Sequence, residues 1–517
     1  MSEEKKVAAS ESQEMKRGIK DWQVAFIGLG GVIGSCYFLG VGWCIQIMGP
    51  SVFLAFGVVG VIVFGLMIAY AELLVNVPRT GSFVAYTNEF LGPTLSVGMG
   101  WSFWFNWVCY CPSEAIAVAM ALQALTGIKS PVAYAAFAIG TMIALTLINL
   151  AAVDIFAKIE SGLAITKVCV IIAFILMAFG IWVGIWGHPD SAVLGTVEDG
   201  FKGLGINFGS GAGLYSDVFP NGIALVVVMM VVVLVTFQGT EIVGLTAAES
   251  ENPDTAVPKA CRSVTYRIVL LYLVPILLVL LVFPTAMATD ETPVFSDVAN
   301  AYGIGWLGKI FLAVVLVAAF SCANTGFYGT VRAMYGLSIE GLAPKFLSKL
   351  SKNQAPQRAT LFTLAFMWVV LIIGLVSELT GFLANLYGSL LSMSGFTGTL
   401  AWVGIIASQK VFRKRLKARG YDPDTCLKAR VSKGMSWVPW FAMIAQLICL
   451  IMLAFGDILD PSGDAGGGIV IFSIATAAVV IPMIVFQIQK SRGKITGLNT
   501  LKPGEVAFDD LFPDKNK

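Results

Sequence analysis

Two carboxylates and one ammonium stand where the sequence is otherwise apolar, and their surroundings suggest ligand and proton chemistry. Glu114 closes the series Asn106, Tyr110, Glu114, spaced i, i+4, i+8 on one helix face. Glu241 lies in TFQGTEIVG (Thr236 to Gly244), flanked by Gly239 and Gly244. Lys167 lies inside the apolar run 161–187. Ser321, Thr325, Tyr328 and Arg332 follow i, i+4, i+7, i+11, with Asn324 beside them. A charge in hydrocarbon costs at least about 2.5–3.5 kcal/mol on insertion scales, so each needs a reason. For Glu72 and Arg332, near span ends, an interhelical hydrogen bond or a snorkelling side chain suffices. For Glu241 and Lys167 a functional role is the better reading. An ammonium in low dielectric can lose and regain a proton during a transport cycle. A fixed one can replace a bound sodium ion electrostatically. The sequence leaves both open.

These residues need elements to hold them, and two of those elements are interrupted. The run Phe26 to Gly40, FIGLGGVIGSCYFLG, is too apolar for a surface loop and too rich in glycine for an unbroken helix. A break from Gly30 to Cys36 would leave backbone amides and carbonyls free to face a ligand. The second interruption is TFQGTEIVG itself.

Composition sets the solvent. The chain has 517 residues, is 57% hydrophobic and only 13% charged, with mean hydropathy +0.81. A soluble protein would carry about twice that charge. An all-α polytopic membrane protein is expected. Twelve apolar segments are long enough to span, near 22–49, 51–76, 93–126, 131–153, 161–187, 220–246, 264–284, 306–338, 360–378, 382–408, 437–456 and 467–488. With the amino terminus inside, the outer side holds only Lys129, Lys202 and Lys309 of the 34 Lys and Arg. That asymmetry orients the chain with both termini cytoplasmic.

Spans 1 and 6, the broken ones, are five apart and so run in opposite directions. Broken helices at matching places in two halves mark an inverted-repeat, LeuT-like architecture. The expected organisation is a cytoplasmic tail (1–21), a first repeat of spans 1–5 (22–187), and an outer loop (188–219). A second inverted repeat of spans 6–10 follows (220–408), then a basic cytoplasmic loop (409–436), two appended helices (437–488) and a cytoplasmic tail (489–517). The basic run near Lys410 is explained by topology and implies no nucleic acid. His188, the only histidine, sits in the outer loop and takes no role. The nine cysteines include no CxxC pair, so neither a disulfide framework nor a cofactor or metal site is expected. No histidine in the membrane, no HExxH and no phosphate-binding loop argue against an enzyme.

Several motifs resemble the amino acid transporter branch of the amino acid–polyamine–organocation permeases. They are GGVIGSCYFLG (Gly30 to Gly40), MGP (Met48 to Pro50), VPRTGSFVAY (Val77 to Tyr86), GWSFWFNW (Gly100 to Trp107), FQGTEIVGLTAAESENP (Phe237 to Pro253) and SCANTGFYGTVRAMYGLSIEGLAP (Ser321 to Pro344). The stretch SGFTGTLAW (Ser394 to Trp402) looks like lysine permeases in particular.

The resemblance implies a proton-coupled importer of amino acids in the plasma membrane, working by alternating access. The broken first helix would offer amides to the substrate carboxylate around Ile33, Gly34, Ser35 and Cys36. The family usually reads G-[ST]-G there, so Cys36 departs from it. The broken sixth helix would supply carbonyls to the amine and a gating aromatic, at Thr236, Phe237 and Gly239. Glu241 matches the acidic residue of that motif. Lys167 matches the fifth-span lysine linked to proton coupling. Asn106, Glu114, Ser321 and Asn324 match polar positions near the site. The partners so implied are an amino acid, protons and the lipid bilayer. Glu114 and Glu241 tilt the expected cargo slightly towards lysine or arginine. An obligate exchanger and an amino acid sensor are the rival readings; the oligomeric state is not legible.

Overall fold

The computed structural model describes residues 32–79, 81–150, 153–186, 214–242, 244, 261, 263, 266–289, 292–351, 355–380, 386–459, 468–495, 498, 501–502 and 505–515. Gly28, Gly30, Gly31, His188 and all of residues 245–260 lie outside them. Among the described residues there is no strand. In hydrocarbon each backbone N–H and C=O must be paired within the protein, and a helix achieves that within one segment.

After a π-helical turn, Cys36–Gly40, comes α1 (Val41–Met48), and after a 3-10 turn, Gly49–Ser51, comes α2 (Val52–Asn76). Then follow α3 (Ser82–Leu91), α4 (Pro93–Thr126), α5 (Pro131–Asn149), α6 (Val153–Trp182) and α7 (Ile223–Val235). A second π-helical turn, Ile268–Leu273, leads into α8 (Val274–Val282). The rest are α9 (Val294–Ala301), α10 (Gly305–Ile339), α11 (Gln357–Leu379), α12 (Leu386–Ala418), α13 (Val438–Met452) and α14 (Ile469–Ser491). Ten helical stretches among the described residues, with Cys36–Asn76 taken as one, are long and apolar enough to cross a membrane.

The junction between α1 and α2 turns on Gly49. Its φ of 59° and ψ of −145° are open only to glycine. A Cβ there would also lie 2.7 Å from Pro220 Cγ. The expected limits of α4 coincide with the observed ones because both ends carry stop signals. Pro93 opens the helix after Gly92, and Gly127, with φ 72°, caps it by donating to Gln123 O.

Helix α4 forms the centre, with α10 and α12 packed along it. Close approach depends on small residues: a side chain at Gly326 would fall within the Trp107 indole, and one at Gly100 would meet Leu337. Helices α5 and α14 keep most of their apolar surface outward, as lipid-facing helices do.

Helix α6 begins at Val153, and the apolar span within it begins at Gly162, beside the expected 161. One expected boundary is corrected. Helix α12 runs to Ala418, so the first part of the basic run, expected as loop from 409, is helical. The reason lies in Glu72, fully buried near the end of α2. Its Oε1 accepts from Gln409 Nε2 (2.7 Å) and Arg413 Nε (2.8 Å). Its Oε2 accepts from Arg413 Nη2 (2.9 Å) and Val431 N (2.8 Å). One carboxylate thus fixes an added turn of α12 and folds the following loop back on α2. Asn76 repeats the tie, donating to Ala429 O and accepting from Lys428 N. Removing one partner of such a pair leaves a buried charge. Glu72→Ala is therefore expected to cost about 3 kcal/mol, read as a fall of several degrees in the melting temperature in detergent. An unchanged midpoint would contradict the tie.

Candidate functional site

The chain enters α1 through a short irregular segment. Val32 to Gly34 are not helical, and the helix that starts at Ser35 is π-helical from Cys36 to Gly40. Unwinding frees backbone groups, and side chains from other elements take them up. Ser35 N donates to both Glu114 oxygens, at 3.1 and 3.0 Å. Ile33 O accepts from Lys167 Nζ (3.0 Å), which also donates to Ser321 Oγ (2.8 Å). The hydroxyls of Ser35 and Tyr387 are 2.9 Å apart. Helices α4, α6, α10 and α12 therefore all hold this segment.

Gly34 is required by close approach rather than by its φ. A Cβ there would collide with the Glu114 carboxylate and lie 2.8 Å from both Cys322 Sγ and the Tyr110 hydroxyl. These neighbours are fully enclosed, so the packing around Glu114 on Ser35 N leaves no room for an added methyl. Gly34→Ala is expected to abolish uptake in cells while the protein still elutes as a single species in detergent. Wild-type uptake would show that the cage is not tight. Cys36, which departs from the family pattern, turns its Sγ to Val232 O of α7 at 3.7 Å.

Helix α7 ends at Val235, and Thr236 to Glu241 form successive turns. Gly239 has φ 99°, a conformation that other L residues rarely adopt. Its N–H donates to Glu241 Oε1 (3.2 Å) and Oε2 (3.0 Å), and Trp402 Nε1 donates to Oε2 at 3.0 Å. Thr236 O accepts from the Tyr272 hydroxyl (3.0 Å), while the Thr236 hydroxyl turns back to Val233 O. Phe237 stacks on Tyr272 with centroids 4.3 Å apart. Both interruptions thus use the same device, a buried carboxylate receiving an amide that unwinding has freed.

The two interruptions meet. Val32, Ile33, Phe237, Thr240, Arg267, Ile268 and Tyr272 together line a cavity of about 10 Å³, room for one water at most. Around it the sequence-derived residues take distinct places. Glu114, Lys167 and Ser321 converge on Ile33 to Ser35. Asn106 Oδ1 accepts from Ser394 Oγ of α12 (2.5 Å), beside Gln238 of the second interruption. Asn324 does not join them: its Oδ1 accepts from Asn149 Nδ2 of α5 at 2.8 Å. Asn106 Nδ2, Asn324 Nδ2 and Thr325 Oγ1 are buried and find no hydrogen-bond partner among the described residues, each costing about 1–3 kcal/mol if unpaired. Arg267, inside the expected span 264–284, has no role in the sequence reading, and a lone charge near the start of an apolar run is its one signal. That reading also missed Tyr272, Trp402 and Tyr387, which nothing in their local sequence separates from ordinary core aromatics.

Interrupted helices braced in the middle of a bundle of apolar spans define a multi-pass membrane transporter rather than an enzyme. A family model described as amino acid permease matches residues 23–494. The lysine-specific permease LysP of Lactococcus lactis subsp. cremoris is 33% identical over 425 residues, covering 79% of this chain and 78% of the relative. The amino-acid permease RocC of Bacillus subtilis is 33% identical over 413 residues, covering 79% and 83%. Among solved structures, a point mutant of the Eremococcus coleocola manganese transporter superposes with TM-score 0.53 at 16% identity, covering 93% of this chain and 98% of that one. That likeness is one of fold alone. The chain belongs to the amino acid permease family.

Proposed function

We propose that this protein is a secondary active importer of L-amino acids, coupled to protons and working by alternating access in the cell membrane. The observation that carries the reading is the meeting of the two interruptions at one small cavity. Counting α1 and α2 as separate crossings and adding 268–282 to the other spans makes twelve. In that arrangement spans 1–5 and 6–10 form inverted repeats, the last two are appended, and both termini are cytoplasmic. The basic ends of α12 and α14 then face the cytoplasm.

A zwitterion needs a positive partner for its carboxylate and a negative one for its amine. The amides from Ile33 to Cys36 open a helix and suit the carboxylate. The carbonyls of Thr236, Phe237 and Gly239 suit the ammonium. Glu114 now sits on the Ser35 amide, so an incoming carboxylate must displace it. Phe237, backed by Tyr272, closes over the site. Lys167 joins Ile33 O to Ser321 Oγ; loss of its proton weakens that join and lets α10 part from the first interruption. This couples proton movement to the change of access. A preference for lysine is supported by the likeness to the lysine-specific permease LysP. Glu114 and Glu241 support it less directly, since both are engaged by protein N–H groups.

Uptake of labelled lysine into proteoliposomes with an alkaline interior, with other amino acids as competitors, tests the proposal. Accumulation that collapses with the pH gradient is expected. Counterflow without net accumulation would favour an exchanger, and saturable binding without uptake a sensor.

A further inference from the structure

Beyond α14 the chain returns to the basic end of the bundle. Val506 O accepts from Arg79 Nη1 (3.0 Å), and Arg79 forks onto Glu89 of α3 at 2.8 and 3.0 Å. Phe508 is buried, its ring 5.9 Å from Phe90 of α3 and 6.0 Å from Phe412 of α12. The Arg419 guanidinium lies 4.5 Å over the Phe508 ring, donates to Phe512 O (2.8 Å) and pairs with Asp509. Lys502 Nζ reaches Glu340 Oε1 at 3.1 Å, while Asn88 of α3 holds the other oxygen. One short segment therefore ties the region after α2 and α3 to the ends of α10 and α12.

This tie differs in kind from the one at Glu72. There the carboxylate is fully enclosed and takes four donors. Here Asp509 is 79% exposed, so its ion pair is screened and weak, and the anchorage rests on Phe508 together with Phe512, which packs on Phe412 and Tyr421.

We propose that residues 501–502 and 505–515 form an autoinhibitory strap. It joins elements of the two halves at their cytoplasmic ends, and it slows the relative movement of those halves while it is docked. Docking rests on an acidic and aromatic sequence, FDDLF, seated on arginines and phenylalanines. This inference rests on the transport reading, so its test includes a readout that does not require transport.

Wild-type protein and Phe508→Asp are compared in proteoliposomes and in detergent. Expected for the variant are a turnover raised at least about threefold with KM unchanged, and a return to the slow rate when a peptide of residues 501–517 is added at the cytoplasmic side. Hydrogen exchange over Val32 to Cys36 is expected to be faster in the variant and slowed again by the peptide. Turnover at or below wild type in a monodisperse variant, with exchange unchanged, overturns the strap. Faster exchange in a protein that moves no amino acid supports the strap and faults the transport reading instead.

Discussion

Lys167→Ala is expected to abolish accumulation driven by a pH gradient while leaving exchange of labelled for unlabelled substrate measurable. The ammonium holds Ile33 O and Ser321 Oγ together from a fully buried position. Its removal takes the donor from the buried Ile33 O, a cost of about 1–3 kcal/mol, and breaks the link to Ser321. Apparent affinity should fall about tenfold or more on that ground alone. The loss of coupling is the larger effect and is separate. With no titrating group between the first interruption and α10, the change of access no longer depends on a proton. A purely structural cation would give a different result, with accumulation and exchange falling in parallel. Proteoliposome uptake and counterflow measured on the same preparation decide between them. Gradient-driven accumulation at the wild-type level would exclude Lys167 from coupling.

Glu241→Gln should lower uptake by about 10–100-fold, which corresponds to roughly 1.4–2.8 kcal/mol. The carboxylate accepts from two N–H groups, Gly239 N and Trp402 Nε1. An amide with its oxygen in the Oε2 place still accepts from both, but without the charge, and its NH2 stands where Oε1 accepted from Gly239 N at 3.2 Å, donor against donor in a buried site. That is close to the cost of an unsatisfied buried group. Trp402→Phe removes one of the two donors without reversing any partner, and its effect should be smaller. Adding Trp402→Phe to Glu241→Gln should recover part of the loss, since the glutamine oxygen then serves Gly239 alone. Substrate affinity by scintillation proximity on the purified single and double variants checks the order. Additive losses in the double variant would mean that Glu241 acts directly on the substrate rather than by holding Gly239.

The sequence carried local information well. Helix α4 was legible to the residue because Gly92-Pro93 and Gly127 punctuate an apolar run. The second interruption was legible because Gly239 and Gly244 bracket a charge that lipid does not tolerate. What stayed hidden is mostly rotation and long-range pairing. Ser321 and Asn324 lie three residues apart on α10, yet one meets Lys167 and the other turns to Asn149 of α5. A helix apolar on every side gives no moment from which to choose the inward face. The partner of Ser35 N lies 79 residues away, and the tie between Glu72 and Arg413 crosses 341. No spacing rule reaches that far. Helix α12 ran past its expected end because that distant carboxylate holds Arg413 on the helix.

The most direct test of two interruptions holding the two ends of one zwitterion is a cryo-electron microscopy map of the protein saturated with a transported amino acid. The account predicts the substrate carboxylate on the amides around Ser35, the Glu114 carboxylate withdrawn from Ser35 N, and the substrate amine against the carbonyls of Thr236 to Gly239. Density for the amino acid elsewhere, with Glu114 still on Ser35 N, would contradict it.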